Sequence, residues 1–373
     1  MTSATGTAPT DPAPLDSDGA TELADGTVEA ATARSADLER RIAADPGRFR
    51  VLTGDRPTGD LHLGHLLGSL ANRVRLQDAG VPITVVIADY QVITDRDHVG
   101  PVRERVLGLL ADYLAAGMDP ERSVIFPHSA VPALHQLMLP LLSLVTDSEL
   151  RRNPTVKAEL ADSGRPLSGL LLTYPVHQAA DILSMAGTVV PVGRDQLPHL
   201  ELTRVLARRF NERYGPVFAE PEPLLSAVPV LLGTDGRKMA KSRGNSIALS
   251  ATADETAAAL RRARTDSLRT IDYDPVGRPE VSSLLDLAAA LGGTDPVALA
   301  AEIGDGGAAE LKRRATEAVN TALAPLRARR RELVADPGYL QGVLVDGIAR
   351  ASATAGETLA AVRRAMGTEY LPH

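Results

Sequence analysis

The chain has 373 residues, 44% hydrophobic and 23% charged, which is enough to bury a sizeable core in two structural units plus tails. It contains no cysteine, which excludes a disulfide framework, a Cys-ligated zinc site and a thiol nucleophile, and suits a reducing cytosol. A net charge of -7 is not that of a nonspecific nucleic-acid binder, and 3% aromatics excludes base stacking as the main recognition mode. Any RNA contact must therefore come from local basic patches. No apolar run approaches the length of a membrane span, and the N-terminus lacks the basic and apolar parts of a secretory signal. The expectation is a soluble, cytoplasmic protein with no membrane contact.

In chain order, residues 1–46 are rich in Ala, Thr, Asp, Gly and Pro and read as a disordered extension, with at most a helix around residues 36–43. Residues 48–54 then predict a short strand ending at Gly54. From about residue 64, Leu66, Leu67, Leu70, Val74 and Leu76 recur near the helical period. Residues 81–88 are a continuous apolar run of the kind a buried parallel strand requires. A helix is expected over 102–117, a strand over 123–126, helices over 133–146 and 178–185, and a strand over 188–192. Strands alternating with helices in this way imply right-handed crossovers and a doubly wound, Rossmann-like parallel sheet. From residue 251 the chain turns Ala, Leu, Arg and Glu rich with no strong strand. The expected division is thus 47–250 for an α/β catalytic domain and 251–373 for a helical one.

Two segments carry chemistry. Pro57-Thr58-Gly59-Asp60-Leu61-His62-Leu63-Gly64-His65 lies where a strand gives way to a helix, so the free N–H groups and positive end of that helix face the crevice. Gly64 lets a nucleotide approach the backbone, and His62 and His65 are placed to donate to phosphate oxygens. Taken alone, the segment could equally be a helix start with two surface histidines. The second segment is Lys238-Met239-Ala240-Lys241-Ser242, flanked by Gly233, Gly236 and Gly244, which predicts a mobile loop able to close over a ligand. The chain has four lysines against thirty-six arginines. A composition so biased toward Arg keeps Lys where a compact ammonium is needed, and Lys157, Lys238 and Lys241 are candidates to face one triphosphate. For Lys157 the alternative is an exposed lysine near a helix start.

Further along, Tyr174, Gln178 and Asp181 stand at i, i+4 and i+7, one helical face if a helix begins near Tyr174 with Pro175 in its first turn. Asp181 in an apolar setting needs a partner, and an indole N–H or a phenol O–H would serve, as would backbone or Arg.

The histidine and lysine segments together resemble the signature pair of class I aminoacyl-tRNA synthetases. Residues 172–183 and 190–204 are similar to the amino-acid pocket helix and nucleotide-side loop of the tryptophanyl and tyrosyl branches. The resemblance runs from about residue 49 to 367. Arg264-Thr265-Asp266-Ser267, Ile271-Asp272-Tyr273-Asp274 and Ser282-Ser283-Leu284-Leu285 point to the tryptophanyl branch. It implies tryptophan activation with ATP, transfer to tRNA(Trp), and a homodimer whose helical region binds the anticodon. Magnesium (Mg2+) would arrive with ATP, and no protein-held metal is expected. By the same resemblance His62, His65, Lys157, Lys238 and Lys241 are catalytic. ATP binding falls to Arg56, Pro57, Thr58, Gly64, His65, Gly193, Arg194 and Asp195 together with Lys238, Met239, Ala240, Lys241 and Ser242. Tyr174, Gln178, Asp181, Gln196 and Gln91 are expected to bind the amino acid. Arg56, Gln178 and Gln91 depart from the commoner bacterial Gln, Met and His: the first would add a cation near the phosphate or carboxylate, and the other two make the pocket more polar. Remaining readings are a tyrosyl-specific enzyme, a nonactivating RNA-binding paralogue, and a small-molecule nucleotidyltransferase sharing the histidine element. Basic clusters such as Arg204-Arg208-Arg209-Arg213 and Arg327-Arg329-Arg330-Arg331 are either solvated helix faces or tRNA phosphate contacts.

Overall fold

The computed structural model describes residues 25–94, 100–164, 166–225 and 231–370, leaving out the side chains of residues 25–31, 162, 163, 195 and 242. Five strands, β1 (Val51–Asp55), β2 (Ile83–Ile87), β3 (Ser123–Pro127), β4 (Val189–Val192) and β5 (Glu222–Leu225), form one sheet in the order β3-β2-β1-β4-β5. All four pairings are parallel, with Val51 beside Ile83 and Asp55 beside Ile87. The strand order reverses across β1, so a crevice opens at the carboxyl ends of β1 and β4, the usual place for a ligand in such a sheet. Alternation of apolar strands with helices thus did predict the doubly wound architecture.

Helix α1 (Asp25–Ala44) precedes β1. After β1 the chain forms α2 (Leu63–His65), a five-residue π turn (Leu66–Leu70) and α3 (Ala71–Asp78), three stretches that follow one another without a break. Helix α4 (Val102–Ala115) lies between β2 and β3. Between β3 and β4 come α5 (Pro132–Leu142), α6 (Asp147–Arg152), α7 (Pro154–Ser163) and α8 (Gly169–Ser184), and α9 (Leu197–Tyr214) precedes β5. The C-terminal region is helical: α10 (Ala253–Arg262), α11 (Pro279–Gly292), α12 (Pro296–Ile303), α13 (Gly307–Ala335) and α14 (Pro337–Met366).

Three expectations change. The extension read as disordered over 1–46 is instead helical from Asp25 to Ala44, and Leu38 and Ile42 are each 1% exposed in the main core; residues 1–24 lie outside the described residues. Two buried apolar residues in a polar segment are a weak periodic signal, and only the sheet edge they cover gives them meaning. Second, α8 begins at Gly169, so Pro175 sits in its interior rather than its first turn, where it removes one ladder bond. Third, the core does not divide at residue 250. Gly347 of α14 lies so close to β3 that a Cβ there would come within 1.9 Å of the Ile125 carbonyl oxygen. Ala351 and Ala355 pack with Phe126 and Val86, which makes α14 one of the helices covering the sheet. Sequence reasoning missed β5 because Pro223 argues against a strand; at the edge of the sheet its missing N–H is tolerated. Among the described residues no single helix is long and apolar enough to cross a membrane, although the bent pair Pro279–Gly292 with Pro296–Ala335 passes on length and composition.

Candidate active site

At Gly54 of β1 a Cβ would stand 2.3 Å from the Val86 carbonyl oxygen, so only glycine lets β1 and β2 approach here. The chain then leaves the sheet through residues 56–61 and enters α2 at His62, which caps the helix: its Nδ1 accepts the Gly64 N–H at 3.1 Å. In turn His65 Nδ1 accepts the His62 N–H at 3.3 Å. Since each Nδ1 is an acceptor, a neutral ring must carry its proton on Nε2, leaving both histidines as Nε2–H donors. Burial, aided by the neighbouring His65 and then Lys241, lowers the His62 pKa to about 3. Burial likewise lowers that of His65 to about 4, against the opposing pull of Asp55 and with Lys241 and Arg73 adding to the drop. Both rings are therefore neutral donors at pH 7, which suits them to oxygens that gain negative charge during reaction.

The lysine segment is fastened to this element by backbone pairing. Leu63 N–H donates to Ile247 O at 3.0 Å and Leu249 N–H to Leu61 O at 2.8 Å. Lys241 Nζ reaches Gly59 O at 2.6 Å, and Met239 is buried beside Gly64. Asn245, 3% exposed, accepts the Ala240 N–H through Oδ1 and donates Nδ2–H to Asp235 at 2.7 Å and to Lys238 O at 3.2 Å. A loop expected to be mobile is thus stapled at its base. Lys238 is exposed, its backbone bridged to Leu232, and Lys157 is exposed in the first turn of α7. Arg56 faces the same helix, 3.5 Å from Glu159.

The third wall is α8. Tyr174 and Asp181 are buried on it and Gln178 is half-buried, as the spacing predicted. Tyr174 Oη is hydrogen-bonded to His199 Nε2 at 3.1 Å. Burial, and then the Glu159 charge, push its phenol above its ordinary pKa, so it stays protonated. Asp181 already has a partner that the sequence did not reveal: His128 Nδ1 lies 3.2 Å from both carboxylate oxygens. Because Tyr90 N–H donates to His128 Nε2 at 3.0 Å, Nδ1 carries the ring proton and donates to Asp181. Burial lowers the His128 pKa, but the Asp181 charge and hydrogen bond, with Asp89, outweigh it, and the net shift is upward. Gln91 Nε2 lies 2.8 Å from His177 Nδ1, and His177 Nε2 lies 3.0 Å from His135 Nδ1. With Gln91 donating, protons run in one direction from Gln91 to His177 to His135. Gln91, expected to bind the amino acid, is buried with its amide engaged by His177. Burial, with His128 and His135 nearby, lowers the His177 pKa to about 4.

Against the expectation of no clustered metal ligands, His128, His177 and Asp181 bring ligand atoms within 4.8 Å of one another. Within the fold these atoms hydrogen-bond to neighbours: His128 Nδ1 to Asp181, and the two His177 nitrogens to Gln91 and His135. Gly193 caps the turn after β4, Arg194 is exposed and Gln196 is half-buried, all at the carboxyl end of that strand. Pro57 is buried and Thr58 half-buried in the loop after β1, where Thr58 N–H donates to Arg56 O at 2.8 Å. The side chains of Asp195 and Ser242 lie outside the described residues. What the sequence reading missed is the layer behind the ligand side chains: His128, His135, Glu159 and His199. One available signal was His128, two residues past the strand expected over 123–126.

Neutral imidazole donors at a helix start, with an ammonium loop tied to them beside the switch point of a doubly wound parallel sheet, have the character of an α/β enzyme able to bind phosphate oxygens. The family of class I tRNA synthetases (W and Y) matches residues 45–324, and the chain belongs to it. It is 44% identical over 338 residues to the tryptophan–tRNA ligase of Treponema pallidum, a match covering 87% of this chain and 98% of that one. With the tryptophan–tRNA ligase of Thermotoga maritima it shares 40% identity, over 86% of this chain and all of the relative. The crystal structure of tryptophanyl-tRNA synthetase from Campylobacter jejuni complexed with ADP and tryptophan superposes with a TM-score of 0.76 at 30% identity, covering 86% of this chain and 100% of that one.

Proposed function

We propose that the chain is a tryptophan–tRNA ligase: it activates L-tryptophan with ATP and transfers the tryptophanyl group to tRNA(Trp). The observation that carries this reading is the backbone pairing of residues 61–63 with 247–249, which fixes the lysine loop beside His62 and His65. The tryptophan carboxylate attacks the α-phosphorus of ATP and pyrophosphate leaves; the adenylate then esterifies the terminal adenosine of tRNA. No enzyme nucleophile is needed. His62 and His65 donate Nε2–H to phosphate oxygens, and Lys238 and Lys241, with Lys157 as a third cation, stabilise the charge on the leaving pyrophosphate. Arg56, Gly193 and Arg194 line the nucleotide side, and Tyr174, Gln178 and Gln196 the amino-acid side. Asp181 accepts the indole N–H with lone pairs that His128 leaves free, since a carboxylate offers about four acceptor positions. Magnesium arrives with the nucleotide, held by phosphates and water. The helical region from residue 251 is read as the anticodon-binding part of a cytoplasmic homodimer.

ATP–pyrophosphate exchange measured with each amino acid in turn, followed by tRNA charging, tests the reading. Tryptophan should support exchange and charging. Preferential exchange with tyrosine would move the assignment to the tyrosyl branch, and no exchange with any amino acid would leave an RNA-binding paralogue.

A further inference from the structure

The loop that delivers His62 is held from behind by α4. Tyr113 Oη donates to Asp55 Oδ2 at 2.7 Å, and Arg73 Nη1 donates to the same oxygen at 2.8 Å, fixing the start of the loop. Its end is fixed by the adjacent α4 residue: Leu61 N–H, one position before His62, donates to Asp112 Oδ2 at 3.2 Å. Asp112 is fully buried, and its other oxygen accepts Nε–H of Arg330 at 2.6 Å. Arg330 belongs to α13, in the helical C-terminal region, more than two hundred residues away in sequence. A buried carboxylate without its cation would be driven to protonate or to shift. Burial already raises the Asp112 pKa, and Arg330 is the largest influence pulling it back.

We propose that Asp112 and Arg330 are positioning residues for amino-acid activation: Arg330 holds the Asp112 carboxylate in place, and Asp112 holds the Leu61 backbone so that His62 meets the phosphates. The C-terminal region thereby contributes to the first half-reaction, before any tRNA is engaged. This rests on His62 acting on ATP, as proposed above. The geometry is direct: one carboxylate bonds both the backbone preceding a signature histidine and a guanidinium from α13. Either bond alone would be an ordinary buried contact.

The test is ATP–pyrophosphate exchange by the full-length chain, using whichever amino acid the wild type activates, with melting temperature recorded for every variant. Arg330→Met, which keeps most of the stem and removes the cation, should lower kcat about tenfold while the KM for the amino acid changes less than about twofold. Asp112→Ala should lower kcat at least as much. The double variant should be no slower than Asp112→Ala alone, because both changes break one chain of contacts. Arg330→Lys, which restores a cation without the fork, should recover part of the rate. If Asp112→Ala does not fold, the Arg330→Met and Arg330→Lys pair still decides, since Arg330 is partly exposed. A wild-type kcat in folded Arg330→Met, or singles whose effects multiply in the double, would overturn the proposal. Loss of melting temperature with unchanged kcat would reduce the contact to a structural one. Failure of the wild type to exchange with any amino acid would instead strike the functional reading itself.

Discussion

At Asp181 one side chain is held by His128 from within the fold, and in the proposed function it also accepts the indole N–H of the ligand. Phenylalanine offers no N–H and would leave part of a buried carboxylate unsatisfied, at a cost of about 1–3 kcal/mol. Asp181→Ala should therefore lower tryptophan activation about 10–100-fold and narrow the tryptophan-to-phenylalanine ratio together, with the KM for ATP nearly unchanged. Equal losses for both amino acids would make Asp181 a structural partner of His128 and nothing more. The signature histidines give a second prediction, in pH. Their folded pKa values of about 3 and about 4 lie below the ordinary 6.5, so the unfolded chain binds more protons in this range. Their contribution to stability is complete above about pH 6.5 and is lost as pH falls toward 4. His128 is shifted upward, so its contribution has the opposite sense, present below pH 6.5 and fading as pH rises. His65→Gln should flatten the fall of melting temperature between pH 6.5 and 4, and an unchanged slope would mean the ring is protonated in the fold. Wild-type exchange should show no limb from His62 or His65 between pH 6 and 8.

Among the elements, the lysine loop and α1 show how a local segment acquires its role from what it is tied to. Asn245 satisfies the Ala240 N–H and the Lys238 carbonyl from a buried position. Asn245→Ala leaves these groups unpaired and should destabilise the loop by about 1–3 kcal/mol, read as lower kcat for exchange with both Lys238 and Lys241 still present. Lys241→Ala should reduce kcat far more than it weakens ATP binding, because its charge matters most when pyrophosphate leaves; equal losses would make the loop a ground-state clamp. Helix α1 covers the edge of the sheet. Ser35 Oγ accepts the Leu225 N–H at 3.0 Å and donates to Pro223 O at 3.5 Å, Arg41 pairs with Glu222, and Glu39 with Arg75 of α3. Edge strands need such cover. Removing residues 1–44 exposes the edge and deletes Leu38 and Ile42, each worth about 1.5–3 kcal/mol of burial at most, and should lower the melting temperature markedly. An unchanged melting temperature would show that α1 does not hold the edge in solution.

For the whole molecule, the sheet is closed by helices from both ends of the chain, α1 on β5 and α14 on β3. Arg350 of α14 donates to Pro120 O at 2.9 Å and reaches Ser123 O at 3.3 Å, fixing that helix to the start of β3. The helical region is consequently continuous with the catalytic core. Gly347→Ala should be among the most destabilising glycine substitutions, because the added methyl meets backbone that cannot move without β3. A melting temperature equal to wild type would mean that α14 sits farther from β3 than this.

Much of this was local and therefore legible in the sequence. Apolar runs of strand length, the helical period after residue 64, the spacing of Tyr174, Gln178 and Asp181, and the His62 and Lys241 segments each depend on neighbours within a few residues. Such patterns set the fold class and the helix that carries Tyr174, Gln178 and Asp181. What only the tertiary structure decided is pairing across the chain: His128 with Asp181, Arg330 with Asp112, residues 61–63 with 247–249, and α1 with β5. A buried polar group must find a partner, but no periodicity says which of several histidines or thirty-six arginines it will be. That choice is made by which elements pack together, and the charge state of each site residue follows from it.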